Sequence, residues 1–176
     1  FTADEISKLL VSADADFLPV LAIGAFAGLR TAEIERLAWE DIDLAGRIIK
    51  IGASKSKTAS RRIVPIHDNL AEWLADYAER RGAVWAGDST TLINRQRQTA
   101  AAAGLKWKHN ALRHSYASYR FGQIGDAGRV AGELGNSAAI VHRHYRELVN
   151  KSDSEAWFAV KPEKPGNVVA MRKAAI

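Results

Sequence analysis

Two arginines, a lysine and a tyrosine in this sequence have neighbours that suit chemistry on an anion. Arg30 follows the most apolar stretch of the chain, Phe17–Leu29. An arginine there is half buried and needs a partner. It is either a structural ion pair, with Glu33 as the acid at hand, or an anion clamp. Arg113 lies in Asn110-Ala111-Leu112-Arg113-His114. On a helix, Leu112, Tyr116 and Tyr119 form one apolar stripe, and Arg113, Ala117 and Arg120 the stripe beside it. A small residue between two arginines leaves room for a phosphate, although a solvated basic face has the same pattern. Lys57 stands at the tip of Ser54-Lys55-Ser56-Lys57-Thr58, where a long side chain reaches a bound ligand or simply faces water. Tyr145 lies in His142-Arg143-His144-Tyr145-Arg146. It shares a helical stripe with Val141 and Leu148, as a core tyrosine would, and its hydroxyl then needs a partner. The positive charge around it would instead favour a phenolate nucleophile.

Metal chemistry has little support. His142 and His144, or His109 and His114, lack the i, i+4 spacing of a zinc-binding helix, and neither pair has an adjacent acid. No cysteine is present, which excludes disulfides and thiolate sites. No cofactor is expected.

The elements that must hold these residues are mostly helical. Thr2 caps a helix to about Ser12 with Ile6, Leu9 and Leu10 as its apolar stripe. A buried helix is predicted from about Asp16 to Ala27 and ends at Gly28. Thr31 caps a shorter helix through Leu37. The pattern then changes: Arg47–Ile51 and Arg62–Ile66 are β-rich runs joined by the polar stretch Gly52–Arg61, a hairpin with a long basic tip. Helices resume at about Asn69–Arg80, Thr91–Ala103, Ala111–Phe121, Ala127–Leu134 and Ala138–Leu148. The fold class is therefore mostly α with a small antiparallel β-sheet (α+β). Pro165 and Gly166 mark the residues after Pro162 as a loose tail.

A chain of 176 residues is the size of one domain and long enough to bury a core. No apolar run approaches the ~18 residues of a membrane span, and no signal peptide is evident; a cytoplasmic protein without a membrane partner is expected. Net charge is +5 and the sequence pI about 9.6. The distribution of charge says more than its sum. No acid lies between Asp43 and Asp68, where Arg47, Lys50, Lys55, Lys57, Arg61 and Arg62 fall. None lies between Asp88 and Asp126, where Arg95, Arg97, Lys106, Lys108, Arg113 and Arg120 fall. Such segregation suggests one electropositive face made for a phosphate backbone, the alternative being two solvated basic segments.

Taken in order, these features resemble the catalytic domain of the tyrosine recombinases of the phage-integrase type. Gly28-Leu29-Arg30-Thr31-Ala32-Glu33-Ile34, then Leu37 and Trp39-Glu40-Asp41-Ile42, resemble the family's first arginine box. Lys55-Ser56-Lys57-Thr58 leading into Arg62-Ile63-Val64-Pro65-Ile66 is similar to its lysine-bearing β-hairpin, with Lys57 in the lysine's register and Lys55 as second choice. Asn110-Ala111-Leu112-Arg113-His114-Ser115 resembles the second arginine box. Leu134-Gly135-Asn136-Ser137 and His144-Tyr145 resemble the end of the motif. The resemblance runs from about Phe1 to Leu148. It departs at two positions: the family usually carries histidine where this chain has Asn110, and histidine or tryptophan where it has Asn136.

The resemblance implies a metal-independent enzyme. Arg30 and Arg113 would clamp the non-bridging oxygens of a phosphodiester, and Tyr145 would attack phosphorus to give a 3′-phosphotyrosine. Lys57 would protonate the leaving 5′ oxygen. The covalent ester conserves the bond energy, so a second strand can rejoin without ATP. Asn110 and Asn136 keep hydrogen-bonding side chains but cannot serve as bases. Lys55, Arg61, Arg62, Arg95, Arg97, Lys106, Lys108 and Arg120 are the expected DNA contacts. The implied partners are double-stranded DNA and further copies of the chain in a tetrameric synapse. Residues 1–161 would form the catalytic domain and 162–176 a flexible tail, with the family's usual N-terminal DNA-clamping domain absent from the chain. Type IB topoisomerase-like cleavage and resealing, or a DNA-binding relative without activity, are the alternative readings.

Overall fold

The computed structural model describes residues 1–52, 61–145 and 149–163, residues 144 and 145 by their backbone alone. Helix α1 (Ala3–Val11) starts at a reciprocal cap: Thr2 Oγ1 accepts from the Glu5 N–H while the Glu5 carboxylate accepts from the Thr2 N–H. Its stripe of Ile6, Leu9 and Leu10 is fully buried. The stripe rests on α2 (Leu18–Ala27), which is apolar on every side and buried from Pro19 to Ala27. A helix without a polar face can only be central, and α2 packs against α1 and against two later helices, Asp68–Leu74 and Ala111–Ile124.

Gly28 ends α2 in the left-handed conformation, φ 64°. A Cβ there would lie 2.4 Å from the Tyr116 ring, so both backbone and space demand glycine. Helix α3 is shorter than expected, Thr31–Ile34, and Arg30 rather than Thr31 occupies its cap. The reason is Glu33, whose carboxylate reaches back to the Arg30 N–H at 2.9 Å.

The sheet is antiparallel in the order β1–β2–β3. The expected hairpin is present as β2 (Ile48–Ile51) and β3 (Arg62–Pro65), with Ile49 opposite Val64 and both fully buried. Strand β1 (Ile42–Asp43) adds an edge that the sequence pattern does not announce. Helix α4 (Asp68–Leu74) tightens into a 3-10 turn, Ala75–Tyr77, instead of running to Arg80. Helices α5 (Ser89–Ala102), α6 (Ala111–Ile124) and α7 (Ala127–Leu134) follow close to their expected positions. Helix α8 spans Ala138–Tyr145, and residues 146–148 of the expected helix lie outside the described residues. A further helix, α9 (Lys151–Ala159), lies beyond the expected elements. Its Trp157 is fully buried, stacked on Tyr119 of α6 at 4.5 Å and edge-on to Phe26 of α2 at 5.7 Å. Of the expected tail, residues 164–176 lie outside the described residues.

Two sets of helix contacts position the candidate residues. Helix α6 lies between α2 and α9, and α7 packs on α6, α8 and β3. The start of α6, the end of α2 and the end of α7 therefore meet.

Candidate active site

Arg30 leaves the end of α2 and reaches the turn after α7. Its Nη1 donates to Glu33 Oε1 at 3.0 Å and to the Leu134 carbonyl at 3.5 Å. Its Nη2 donates to the Gly135 carbonyl at 3.1 Å and to Asn136 Oδ1 at 2.8 Å. Arg113, in the first turn of α6, arrives at the same turn from the other side. Its guanidinium donates to the Gly28 carbonyl at 2.7 Å, to the Leu134 carbonyl at 2.8 Å and to Asn136 Oδ1 at 3.1 Å. Two guanidiniums far apart in sequence thus share the Asn136 carboxamide oxygen. Asn136 is set there by the end of α7: Gly135 turns left-handed, φ 64°, and the Asn136 N–H returns to the Ala131 carbonyl at 2.9 Å.

Of the two readings posed for Arg30, the ion pair with Glu33 is present, at 3.0 Å. Glu33 is 1% exposed and also takes Arg62, at 3.0 Å from Nη1 and 2.7 Å from Nη2. Burial pushes its pKa up, but the Arg62 hydrogen bonds and the Arg30 N–H outweigh burial and hold it below the usual carboxylate range. Arg62 also donates from Nε to the Glu133 carbonyl at 3.0 Å, tying β3 to the end of α7.

This corrects the expectation that Arg62 faces DNA: its side chain is 7% exposed and committed to Glu33. Arg120 is corrected on the same ground. It forms a bidentate pair with Glu133, at 3.0 and 2.9 Å, with both side chains 7% exposed. Ala117 is fully buried and Arg120 as a whole residue 6% exposed, so the Arg113–Ala117–Arg120 stripe turns inward after its first residue. Tyr116 donates to the same Glu133 at 2.8 Å, and His67 lies 3.4 Å from the Tyr116 hydroxyl. Burial first, and the Arg120 charge second, lower the His67 pKa to about 4.

Other expected residues separate into groups. Arg97 is exposed and lines a 520 Å³ cleft with Arg30, Asn110, Arg113, His109 and Trp107. Arg61 is exposed and lines a 630 Å³ groove with Arg30, Asn136 and Ser137. Arg30 borders both hollows. Lys106 and Lys108 are exposed on either side of Trp107. Arg95 lies elsewhere: it pairs with Asp14 and lines a separate hollow with Trp39, Tyr77 and Trp85. Asn110 is exposed at the start of α6 in a left-handed conformation, φ 54°. Tyr145 is the last described residue of α8, with its side chain outside the described residues, as are Lys55 and Lys57 altogether.

Several participants carry no signal that the sequence pattern exposes. The Gly28, Leu134 and Gly135 carbonyls have no side-chain signature. Gln96, 7% exposed, lines the cleft from the buried stripe of α5 that also holds Leu92 and Ala100, and helical spacing could have found it. Glu133 and His67 stand in no motif.

The chain is similar to known proteins along most of its length. The model of the phage integrase family matches residues 1–151. Tyrosine recombinase XerC of Actinobacillus pleuropneumoniae serotype 7 (strain AP76) is 26% identical over 166 residues, covering 83% of this chain and 53% of that protein. XerC of Xanthomonas axonopodis pv. citri (strain 306) is 29% identical over 149 residues, covering 77% and 48%. The chain thus spans about half the length of these relatives. Among solved structures, XerA recombinase superposes with a TM-score of 0.72 at 21% identity, over 93% of this chain and 66% of that one. XerH site-specific recombinase, bound to its difH substrate before cleavage, superposes with a TM-score of 0.66 at 21% identity, over 84% and 50%.

Proposed function

The chain belongs to the phage integrase family, and from that premise we propose that it is the catalytic domain of a tyrosine recombinase acting on double-stranded DNA. The observation that carries this reading is the convergence of Arg30 and Arg113 on one side-chain oxygen, that of Asn136. Two always-charged planar forks at one point suit the non-bridging oxygens of a phosphodiester, where negative charge grows during attack.

In the proposed reaction Tyr145 attacks phosphorus, its phenolic proton passes to water, and the bond to the 5′ oxygen breaks. Lys57 gives that oxygen a proton, and Arg30 and Arg113 hold the charge on the phosphoryl oxygens. The product is a 3′-phosphotyrosine and a free 5′-hydroxyl. The reverse attack by a 5′-hydroxyl of another strand completes an exchange. Arg97 at the cleft, Lys106 and Lys108 on either side of Trp107, and Arg61 at the groove are the proposed contacts to neighbouring phosphates. A synapse of several copies on DNA belongs to the same proposal.

A nicked duplex whose 5′-hydroxyl fragment diffuses away traps the intermediate and tests the reading. The unmodified chain should form a covalent adduct that resists denaturing electrophoresis and persists in EDTA. Arg113→Ala should reduce it by roughly 10²–10³-fold, the usual loss on removing one charge stabiliser. DNA binding with no adduct at any protein concentration would instead support a non-catalytic relative, the reading that asparagine at positions 110 and 136 favours.

A further inference from the structure

We propose that Asn136 is a positioning residue, a neutral tie that fixes the two arginines to each other before DNA arrives; this rests on the recombinase reading above. Both Nη atoms of Arg30 have protein partners in the DNA-free chain. Nη1 has Glu33 and the Leu134 carbonyl, and Nη2 has the Gly135 carbonyl and Asn136 Oδ1. Arg113 Nη2 is shared between the Leu134 carbonyl and the same Asn136 oxygen. Main-chain carbonyls thus fix one edge of each guanidinium. Asn136 supplies the side-chain acceptor common to both.

The amide orientation is dictated by this environment. Two donors converge on the atom, and only the oxygen of a carboxamide accepts. Two cations at such separation repel, and an acceptor between them offsets the repulsion. The chemistry of the tie is particular. A carboxylate would hold the pair more strongly but would cancel one of the charges meant for the phosphate. An imidazolium or an indole N–H could not accept at all. A neutral carboxamide joins the forks and leaves their charge intact. Asn136 is therefore assigned to hold the pair in its phosphate-binding geometry, and no proton transfer is assigned to it.

The test joins a spectroscopic and a kinetic measurement on the full chain. In ¹⁵N spectra of the DNA-free protein, the Nη signals of Arg30 and Arg113 are assigned with Arg30→Lys and Arg113→Lys. They should show hindered rotation in the unmodified chain, and Asn136→Ala should speed the rotation of the Nη2 group of both, the groups that lose a partner. On the nicked duplex, Asn136→Ala should lower the saturating cleavage rate by roughly 100-fold, the scale of a small misplacement of reacting groups. The duplex concentration at half saturation should change only a few-fold. The isosteric Asn136→Asp should keep both guanidiniums hindered and still cleave more slowly than Asn136→Ala, because its charge opposes the phosphate. Faster rotation in only one guanidinium, an unchanged rate in Asn136→Ala, or an Asn136→Asp enzyme as fast as the unmodified chain would each overturn the proposal. If the unmodified chain forms no adduct, the recombinase reading fails, while the spectra still decide whether Asn136 ties the arginines.

Discussion

At the scale of single residues, Arg30 and Arg113 are legible because each follows a recognisable local pattern, an apolar run and an arginine box. Their meeting point is not legible, since it depends on carbonyls at Gly28, Leu134 and Gly135 that any sequence could present. Arg62 and Arg120 mislead for a related reason. A basic residue in an acid-free segment looks solvated, and only the fold brings Glu33 to Arg62 and Glu133 to Arg120, across 29 and 13 residues. The two asparagines lead to a residue-scale prediction. Neither side chain titrates at useful pH, so the cleavage rate should lack a large inflection near the ordinary histidine pKa of about 6.5. His109 lines the same cleft as Asn110 and is the competitor to watch. A pH–rate profile decides, repeated with His109→Ala and His114→Ala. A strong inflection removed by either substitution would mean that a displaced histidine has taken the role.

At the scale of elements, helix positions are readable wherever a cap or an apolar stripe announces them. Strand β1 escapes because two residues cannot display a period. Helix α9 escapes because its polar sequence, Lys151-Ser152-Asp153-Ser154-Glu155-Ala156-Trp157, hides a single large anchor, although Asn150 is an ordinary cap. The junction of α4, α6 and α7 carries a stability prediction. His67, at the start of α4, meets Tyr116 of α6, with Arg120, Glu133, Asp68 and Arg129 as the charges around it. Its folded pKa of about 4 lies below the ordinary 6.5. Between these values the unfolded chain binds a proton that the folded chain refuses, so stability falls as pH falls through this window and levels off below it. The loss should be on the order of 3 kcal/mol by urea unfolding. Glu33 and Glu133 are both held below their ordinary value of 4.5, so their contribution is lost as pH falls from about that value through their lower folded ones. His67→Gln should remove the drop above pH 4, and a variant whose profile overlies the unmodified one would show that burial of His67 is not its source.

At the scale of the molecule, charge segregation points to DNA before any motif does, yet the structure divides those basic residues between surface and interior. Affinity for duplex should be weak and steeply salt-dependent, with a slope of about 0.9 per phosphate neutralised. Lys106→Ala with Lys108→Ala should reduce that slope by about two. Arg120→Ala should leave the slope unchanged and cost stability instead, about 3–5 kcal/mol for breaking a buried pair. Salt titration of binding, beside urea unfolding, separates the two; a shallower slope in the Arg120 variant would return that residue to the DNA face. The family match covers residues 1–151, nearly all of the described structure. What such a match leaves to measurement is whether this chain uses Tyr145 as its nucleophile.

The most direct measurement is the chemical identity of the protein–DNA bond. The unmodified chain is incubated with a nicked duplex, the covalent complex is digested with protease and nuclease, and the nucleotide-bearing peptide is sequenced by mass spectrometry. The account predicts a 3′-linked nucleotide on Tyr145, and no adduct from a Tyr145→Phe chain that binds the duplex as the unmodified one does. A nucleotide on any other side chain, or an adduct that persists in Tyr145→Phe, would contradict it.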